Sequence, residues 1–301
     1  MERHSPAMEP NNFESQSRVK GQEMVSAESA CRGRDAIDAW LRFYEDPKHM
    51  PRFLSPSGRL SQYNEFLFQR IVKELAPRLR PGNPVRLWSA GSGIDYVSLK
   101  LKAIYGDSIE ITIFDVSEDC ISANRRAFEE NGLRADIVVG DLFKASYFRE
   151  FDMVFNTGLL EHFQKDRQEV LLRIFSDSLR SGGEYVTYVP YAGGRLYNHC
   201  MERMKAKGVW QVGPETPMAT FRDLQSGDLI LVEEFPLDAL YQLTFLRPAY
   251  PLLGFVLLPA TSILMKFPGV FERMFMRLFG GYGLYARFEK PLITRHDKNS
   301  V

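Results

Sequence analysis

Apolar residues recur along this chain with a helical period first and a mixed period afterwards. Near the N-terminal side, two sets of apolar side chains are each spaced to lie on one face of a helix. The first set is Ile37, Trp40, Leu41 and Tyr44, and the second is Tyr63, Leu67, Ile71 and Leu75. The pattern therefore predicts two amphipathic helices, the second of which ends before the prolines at positions 77, 81 and 84.

Short β-type stretches alternate with helix-patterned sequence after residue 84. Five of them are predicted as strands at 85–89, 109–114, 136–139, 152–156 and 185–189, and two more at 229–234 and 282–288. Between the first two strands, Ile94, Val97, Leu101 and Ile104 predict the buried stripe of a helix. Strands that alternate with helices indicate an α/β fold with a largely parallel sheet.

The ends of the chain differ from this middle part. Residues 1–33 are polar and are predicted to form a disordered tail. Residues 244–281 are nearly all apolar, with four basic residues and a single acid, and their longest apolar run is cut by prolines and too short for an ordinary span of roughly 20 residues. The predicted division is a tail at 1–33, a helical cap at 34–82, a core at 83–243, a hydrophobic basic insertion at 244–281, and a last strand and tail at 282–301.

Composition narrows the class of function. The 301 residues are 45% hydrophobic and carry 38 basic against 38 acidic side chains, which argues against nucleic acid as a partner. The three cysteines have no CxxC spacing and the five histidines no metal-ligand spacing, so we expect neither a disulfide framework nor a metal. A reducing, cytoplasmic location fits these cysteines best, and the polar start of the chain has no secretory signal pattern.

A Gly-x-Gly turn in PVRLWSAGSGID joins the first predicted strand to its helix. Gly91 and Gly93 let the backbone turn sharply and approach a ligand, and the helix after them offers unpaired N–H groups. Asp115, Asp141 and Asn156 stand at or just after the ends of the next three strands. The sequence thus predicts a small-molecule site at the carboxyl ends of the strands.

These motifs, taken in order, resemble the class I S-adenosylmethionine-dependent methyltransferases over about residues 84–290. The resemblance is carried by WSAGSGID, ITIFDVS, DIVVGDLF, FDMVFNTGLLEHF, LRSGGEYVTYVP and YGLYARFEKP. It implies a Rossmann-like, seven-stranded, mostly parallel sheet with an antiparallel last strand and helices on both faces. The N-terminal helices and the hydrophobic helical insertion before the last strand would be additions to that fold.

The resemblance also implies S-adenosylmethionine as the cofactor and assigns tasks to residues. Ser89, Gly91 and Gly93 would lie at its methionine end, Asp115 with Val116 at the ribose, Asp141 and Leu142 at the adenine, and Asn156 near the methyl group. The alternative for Asp115 and Asp141 is an ordinary loop or helix-capping role.

Two positions depart from the family pattern. Ser89 replaces an acid that usually holds the cofactor's amino group, and Asp95 replaces the usual third glycine. Asp95, Tyr63 or Glu65 are candidates to compensate for the missing acid. The departures leave open a non-catalytic, methyltransferase-like binding or scaffold protein.

A nicotinamide-dependent oxidoreductase is a further alternative, because a Gly-x-Gly turn followed about 20 residues later by an acid also describes a dinucleotide fold. Against it, Tyr96 stands where that fold has its third glycine.

The segments expected to enclose the acceptor are rich in aromatic and aliphatic side chains, which predicts a small hydrophobic or lipid-like acceptor. Their aromatic members include Trp40, Phe43, Tyr44, Tyr63, Phe66, Tyr191, Tyr197 and Trp210.

His162, beside Glu161, is the candidate general base, and the alternative is that LLEHF is a scaffold feature. In the insertion, Phe271, Met274, Phe275 and Leu278 share one helical face, so it is expected to be a substrate lid or a peripheral membrane contact.

Overall fold

The computed structural model describes residues 35–292 except 36, 47, 52, 53, 211 and 253–267. Its helices are α1 (37–45), α2 (Gln62–Leu75), α3 (Tyr96–Tyr105), α4 (Glu118–Glu130), α5 (Lys165–Ser178), α6 (Arg195–Ala206), α7 (Leu246–Ala249) and α8 (Pro268–Phe279). The predicted tail and most of the predicted apolar run lie outside the described residues. Both amphipathic helices predicted before the sheet are present.

Seven strands form one sheet: β1 (Val85–Ala90), β2 (Ile109–Asp115), β3 (Asp136–Val139), β4 (Phe151–Thr157), β5 (Leu179–Pro190), β6 (Ile230–Leu237) and β7 (Gly283–Glu289). Their order is β3-β2-β1-β4-β5-β7-β6, and β7 runs antiparallel to both of its neighbours. The predicted fold class is therefore confirmed, including the antiparallel last strand. Because β1 lies between β2 and β4, the strand order reverses there and a crevice opens at the carboxyl ends.

Two hydrophobic cores cover the two faces of this sheet, since side chains of one strand alternate between faces. On one face, Leu87 of β1 packs with apolar residues of α2, α3 and α4. On the other face, Trp88 packs with residues of α5, including Phe175. This two-sided burial holds the carboxyl ends of the parallel strands at a common edge.

Some local expectations need correction. Ile104 was predicted to belong to the buried stripe of α3, but its side chain is 58% exposed. The buried face of α3 instead includes Ser98 and Lys102, whose ammonium donates to the carbonyl of Ile109. A lysine can be buried there because its charge is bonded, which the apolar pattern alone does not reveal.

The part of the insertion that is described ends in α8. The Glu272 carboxylate accepts hydrogen bonds from the N–H groups of Ala239 and Leu240, which anchors α8 to the 3₁₀ helix Ala239–Phe245. Phe271 and Phe275 are half-buried, whereas Met274 and Leu278 are 45% and 54% exposed. The predicted apolar face is thus divided between packing and solvent. Within the described residues, no helix is long and apolar enough to cross a membrane.

Candidate active site

A cavity of about 540 Å³ opens at the carboxyl ends of the strands, where the strand order reverses. This volume lies in the range of small-molecule sites. Every residue that the sequence analysis assigned to cofactor or catalysis lines it: Ser89, Gly91, Gly93, Asp115, Val116, Asp141, Leu142, Asn156, Glu161 and His162. The topology therefore brings together side chains that are up to 73 positions apart in the sequence.

The glycine turn after β1 has the conformation that its sequence requires. Gly91 and Gly93 have φ angles of 65° and 51°, a region that side chains with a Cβ rarely adopt. A Cβ on Gly91 would lie 2.7 Å from Leu159 Cδ1, and one on Gly93 would lie 2.7 Å from the hydroxyl of Tyr44. The turn is held by N–H groups of Gly91 and Ser92 that donate to the carbonyl of Phe114.

The acid at the end of β2 and the acid just after β3 both contact backbone N–H groups as well as the cavity. The Asp115 carboxylate accepts from Gly93 N at 2.7 Å and from Ser117 N at 2.8 Å, and burial raises its pKa. Asp141 accepts from Phe143 N at 3.0 Å and so caps a 3₁₀ turn. A carboxylate has about four acceptor sites, so both acids keep acceptor capacity toward the cavity.

Asp95 lies directly beside Ser89, at the position where the family pattern has its departures. It is buried, caps α3 through Ser98 N at 2.8 Å, and hydrogen-bonds the hydroxyls of Ser89 and Ser98. Burial raises its pKa and these bonds oppose that rise. Tyr63 also lines the cavity, whereas Glu65 pairs with Lys100 at 3.5 Å. Of the three candidates to replace the missing acid, Asp95 is thus the carboxylate that lines the cavity.

Asn156 and α1 complete the part of the cavity near the glycine turn. Asn156 is buried and bonds to Thr187 Oγ1 at 2.7 Å and to the Tyr185 hydroxyl, so β5 fixes its orientation. Trp40 and Tyr44 of α1 lie across the opening, with the Trp40 ring 5.3 Å from the ring of His162. The N-terminal helix is therefore a wall of this cavity.

His162 is buried, and its ring Nδ1 lies 2.8 Å from the carbonyl of Pro214. This contact requires a proton on Nδ1, so Nε2 carries the free lone pair when the ring is neutral. Burial lowers the pKa of the ring to about 4, and the ring is therefore neutral at pH 7. A general-base role for His162 was predicted because an ordinary histidine pKa lies near neutral pH. In the structure, the pKa of this ring is lower than that.

Glu161 is 3% exposed, and its Oε1 lies 3.7 Å from His162 Nε2. Its Oε2 has no hydrogen-bond partner among the described residues. Burial raises the pKa of Glu161 well above the ordinary value, and the nearby carboxylate of Glu215 raises it further.

Glu215 is a cavity residue that sequence reasoning missed. It accepts a hydrogen bond from the hydroxyl of Tyr197, and burial raises its pKa as well. The chain reaches this place because Thr216 N donates to the carbonyl of Glu161 at 2.9 Å. The acid stands in the turn-like segment VGPETP. Nothing in that segment indicates which cavity it would reach.

Most of the aromatic side chains predicted to enclose an acceptor do line the cavity. They are Trp40, Phe43, Tyr44, Tyr63, Tyr197 and Trp210, joined by Tyr188, Tyr241, Phe245 and Tyr282, which were not singled out. Phe66 and Tyr191 belong instead to the packing of the two cores. One end of the cavity is therefore polar and glycine-rich, and the other is aromatic.

Comparison with known proteins agrees with this fold. Residues 89–183 match the family model of a methyltransferase domain. A protein from Galdieria sulphuraria, provisionally assigned as a sarcosine dimethylglycine methyltransferase, is 12% identical with a TM-score of 0.53, over 84% of this chain and 98% of its own. A structure reported for the conversion of a disulfide bond into a thioacetal group during echinomycin biosynthesis is 14% identical with a TM-score of 0.50, over 77% and 84%.

At such identities the solved structures show the fold alone. The search of curated protein sequences gave no match. Residues 89–183 thus match a methyltransferase domain, and the sheet order with its strand-end motifs is that of the class I, Rossmann-like methyltransferase fold.

Proposed function

We propose that this protein transfers a methyl group from S-adenosylmethionine to a small hydrophobic acceptor. The observation that carries the proposal is the single cavity with two ends, a glycine turn with strand-end acids at one and aromatic rings at the other. The cofactor supplies an electrophilic methyl group on a sulfonium, so an in-line displacement needs mainly orientation from the protein.

The residues at the glycine end fit such a cofactor. Gly91 and Gly93 line the cavity, and because they have no Cβ, the Leu159 and Tyr44 side chains pack closely against the turn. Asp115 and Asp141 offer acceptors to ribose hydroxyls and to the adenine amino group, with Val116 and Leu142 against the apolar faces. Asp95, beside Ser89, offers an acceptor to the amino group of the methionine end.

Isothermal titration with S-adenosylmethionine, S-adenosylhomocysteine and NADH tests the proposal. We expect both adenosyl compounds to bind and NADH to give no heat. If no adenosyl compound binds to the wild-type chain, a non-catalytic protein of this fold replaces the proposal. Binding of NADH alone would favour the oxidoreductase.

We further propose that the protein acts in the cytoplasm, with 244–281 as a lid over the acceptor or as a peripheral membrane contact. Pro248 lines the cavity and α8 is anchored to the 3₁₀ helix that contributes Tyr241 and Phe245, which supports a lid. The exposed Met274 and Leu278 beside Arg273 and Arg277 support contact with an anionic surface.

A further inference from the structure

Five acidic side chains in the described part of the chain line the cavity, and only three of them are assigned to the cofactor. Asp95, Asp115 and Asp141 lie at the glycine end, whereas Glu161 and Glu215 lie near Tyr197 and Tyr282. No lysine or arginine of the described residues lines the cavity. An anionic ligand would thus find no lysine or arginine among the described lining residues of this cavity, whereas a cation would find several carboxyl groups.

Glu161 is the acid with the clearest unmet bonding capacity. Its side chain is almost fully buried, yet Oε2 has no partner among the described residues. A buried carboxylate oxygen without a partner costs free energy, and a proton bound to the carboxyl group would lower that cost. The residue follows the β4 tip by four positions and faces the same cavity as Asn156.

Glu215 places a second carboxylate close to the first. The two acids interact strongly enough for Glu215 to raise the pKa of Glu161. One hydroxyl, that of Tyr197, donates to Glu215, and Lys205 Nζ donates to its backbone carbonyl at 3.3 Å. Two neighbouring carboxyl groups that share one site favour a proton or a cationic ligand between them.

Aromatic rings continue from these acids into the apolar part of the cavity. The ring of Tyr197 lies 4.9 Å from Tyr282 and 4.7 Å from Phe245, and Tyr282 lies 4.8 Å from Tyr241. The negative faces of such rings attract an ammonium group, and their area packs against an apolar substituent.

We infer that the acceptor is a hydrophobic amine, which binds as an ammonium ion against Glu161 and Glu215 with its apolar part among the tyrosine rings. This inference rests on the proposed methyltransferase function and names its substrate class. The raised pKa values of both acids support it, because an acid with a pKa nearer to that of an ammonium accepts its proton more readily.

The reaction of such an amine would consist of a proton transfer followed by a methyl transfer. The ammonium gives one proton to the carboxylate of Glu161, which leaves a neutral amine with a free electron pair. That pair forms the new N–C bond while the S–C bond of S-adenosylmethionine breaks and its electrons remain on sulfur. The products are a methylated ammonium, neutral S-adenosylhomocysteine and a protonated Glu161, which then loses its proton to solvent.

The test measures the binding of matched probes to the protein saturated with S-adenosylhomocysteine. The probes are 2-phenylethylamine, 4-phenylbutylamine and octylamine, each beside the alcohol of equal length. In the wild type we expect at least one amine to bind ten or more times as tightly as its alcohol. Glu161→Gln should remove most of this preference, Glu161→Asp should restore part of it, and the exposed Glu129→Gln serves as the matched control.

The possible results separate the proposed function from the amine inference. If S-adenosylhomocysteine does not bind to the wild type, the proposed function fails. If it binds but alcohols bind as tightly as amines, or no probe amine binds, the methyltransferase function survives and the amine inference is overturned. Loss of S-adenosylmethionine affinity in Glu161→Gln, with S-adenosylhomocysteine and amine binding unchanged, would assign the carboxylate to the sulfonium and also overturn it.

Discussion

Asp115 has two tasks at once in this fold. Its carboxylate fixes the glycine turn through Gly93 N and the start of α4 through Ser117 N, and it also faces the cavity. A helix-capping role and a binding role therefore do not exclude each other. The strand-end acid shapes the turn to which the cofactor would bind.

Asp115→Ala should weaken S-adenosylhomocysteine by roughly tenfold or more, because each hydrogen bond to a charged group contributes about 1.5–3 kcal/mol. Asp115→Asn keeps one oxygen acceptor and should lose less. Titration calorimetry measures both, and thermal unfolding without ligand separates damage to the turn from loss of ligand contacts. Asp119→Asn, an exposed acid in the first turn of α4, is the control. Unchanged affinity in Asp115→Ala would contradict the ribose assignment.

His162 should make stability depend on pH. Its pKa is lowered from 6.5 to about 4 by burial, so the unfolded chain binds a proton that the folded chain does not. The stability from its neutral ring is present in full above pH 6.5 and is lost progressively as pH falls from 6.5 to about 4. At about 1.4 kcal/mol per pKa unit, the loss amounts to roughly 3 kcal/mol.

The measurement is urea unfolding of wild type and His162→Gln between pH 4 and 8. The stability difference between them should shrink as pH falls. The neighbouring acids Glu161 and Glu215, with raised pKa values, act in the opposite direction and are common to both proteins. A constant difference across this range would mean that the pKa of the ring is the same in the folded and the unfolded chain.

At the scale of single elements, the strands were the most predictable part. Six of the seven begin and end within three residues of the predicted bounds, because β-type runs between turn signals mark them well. The exception is β5, which starts at Leu179 instead of 185, since the Gly182–Gly183 stretch continues the strand through an irregular register. Glycines in a strand often mark such irregularities and are easily taken for a loop.

Helix α8 shows where periodicity misleads. Its four apolar residues are spaced for one face, but packing takes Phe271 and Phe275 and leaves Met274 and Leu278 outside. The arginines at 273 and 277 are exposed next to these two. The spacing of apolar residues predicts which side chains share one face of a helix, but it does not predict which of them another part of the chain will cover.

This exposed surface predicts binding to anionic vesicles in a flotation assay, and weak or no binding to neutral ones. Replacing Arg273 and Arg277 together by alanine should abolish it, because the charge attraction is then lost. The same change at Arg125 and Arg126, exposed on α4, removes equal charge elsewhere and should leave binding intact. Failure of the wild type to float with either vesicle would leave only the lid.

In the molecule as a whole, the sequence predicted the residues at the glycine end of the cavity more fully than those at its aromatic end. Asp115, Asp141 and the glycine turn follow strands directly, and parallel strands end at one edge. Glu215 and Tyr241 reach the cavity through long connections whose paths depend on tertiary packing. The hydrogen bond between Ser89 and Asp95 could likewise be seen only in the folded chain.

Because α1, the strand ends and the segment around Glu215 all form one cavity, a ligand should affect them together. S-adenosylhomocysteine is expected to slow amide hydrogen exchange in residues 37–45 and 209–216 as well as in 89–97. The turn at 106–108, at the opposite end of the sheet, is the internal control and should exchange as before. Mass spectrometry of peptides gives the exchange rates, and Asp115→Ala at the same ligand concentration should show little protection anywhere. Protection confined to 89–97 would contradict a shared cavity, since the N-terminal helix and the Glu215 segment would then open and close independently of the cofactor.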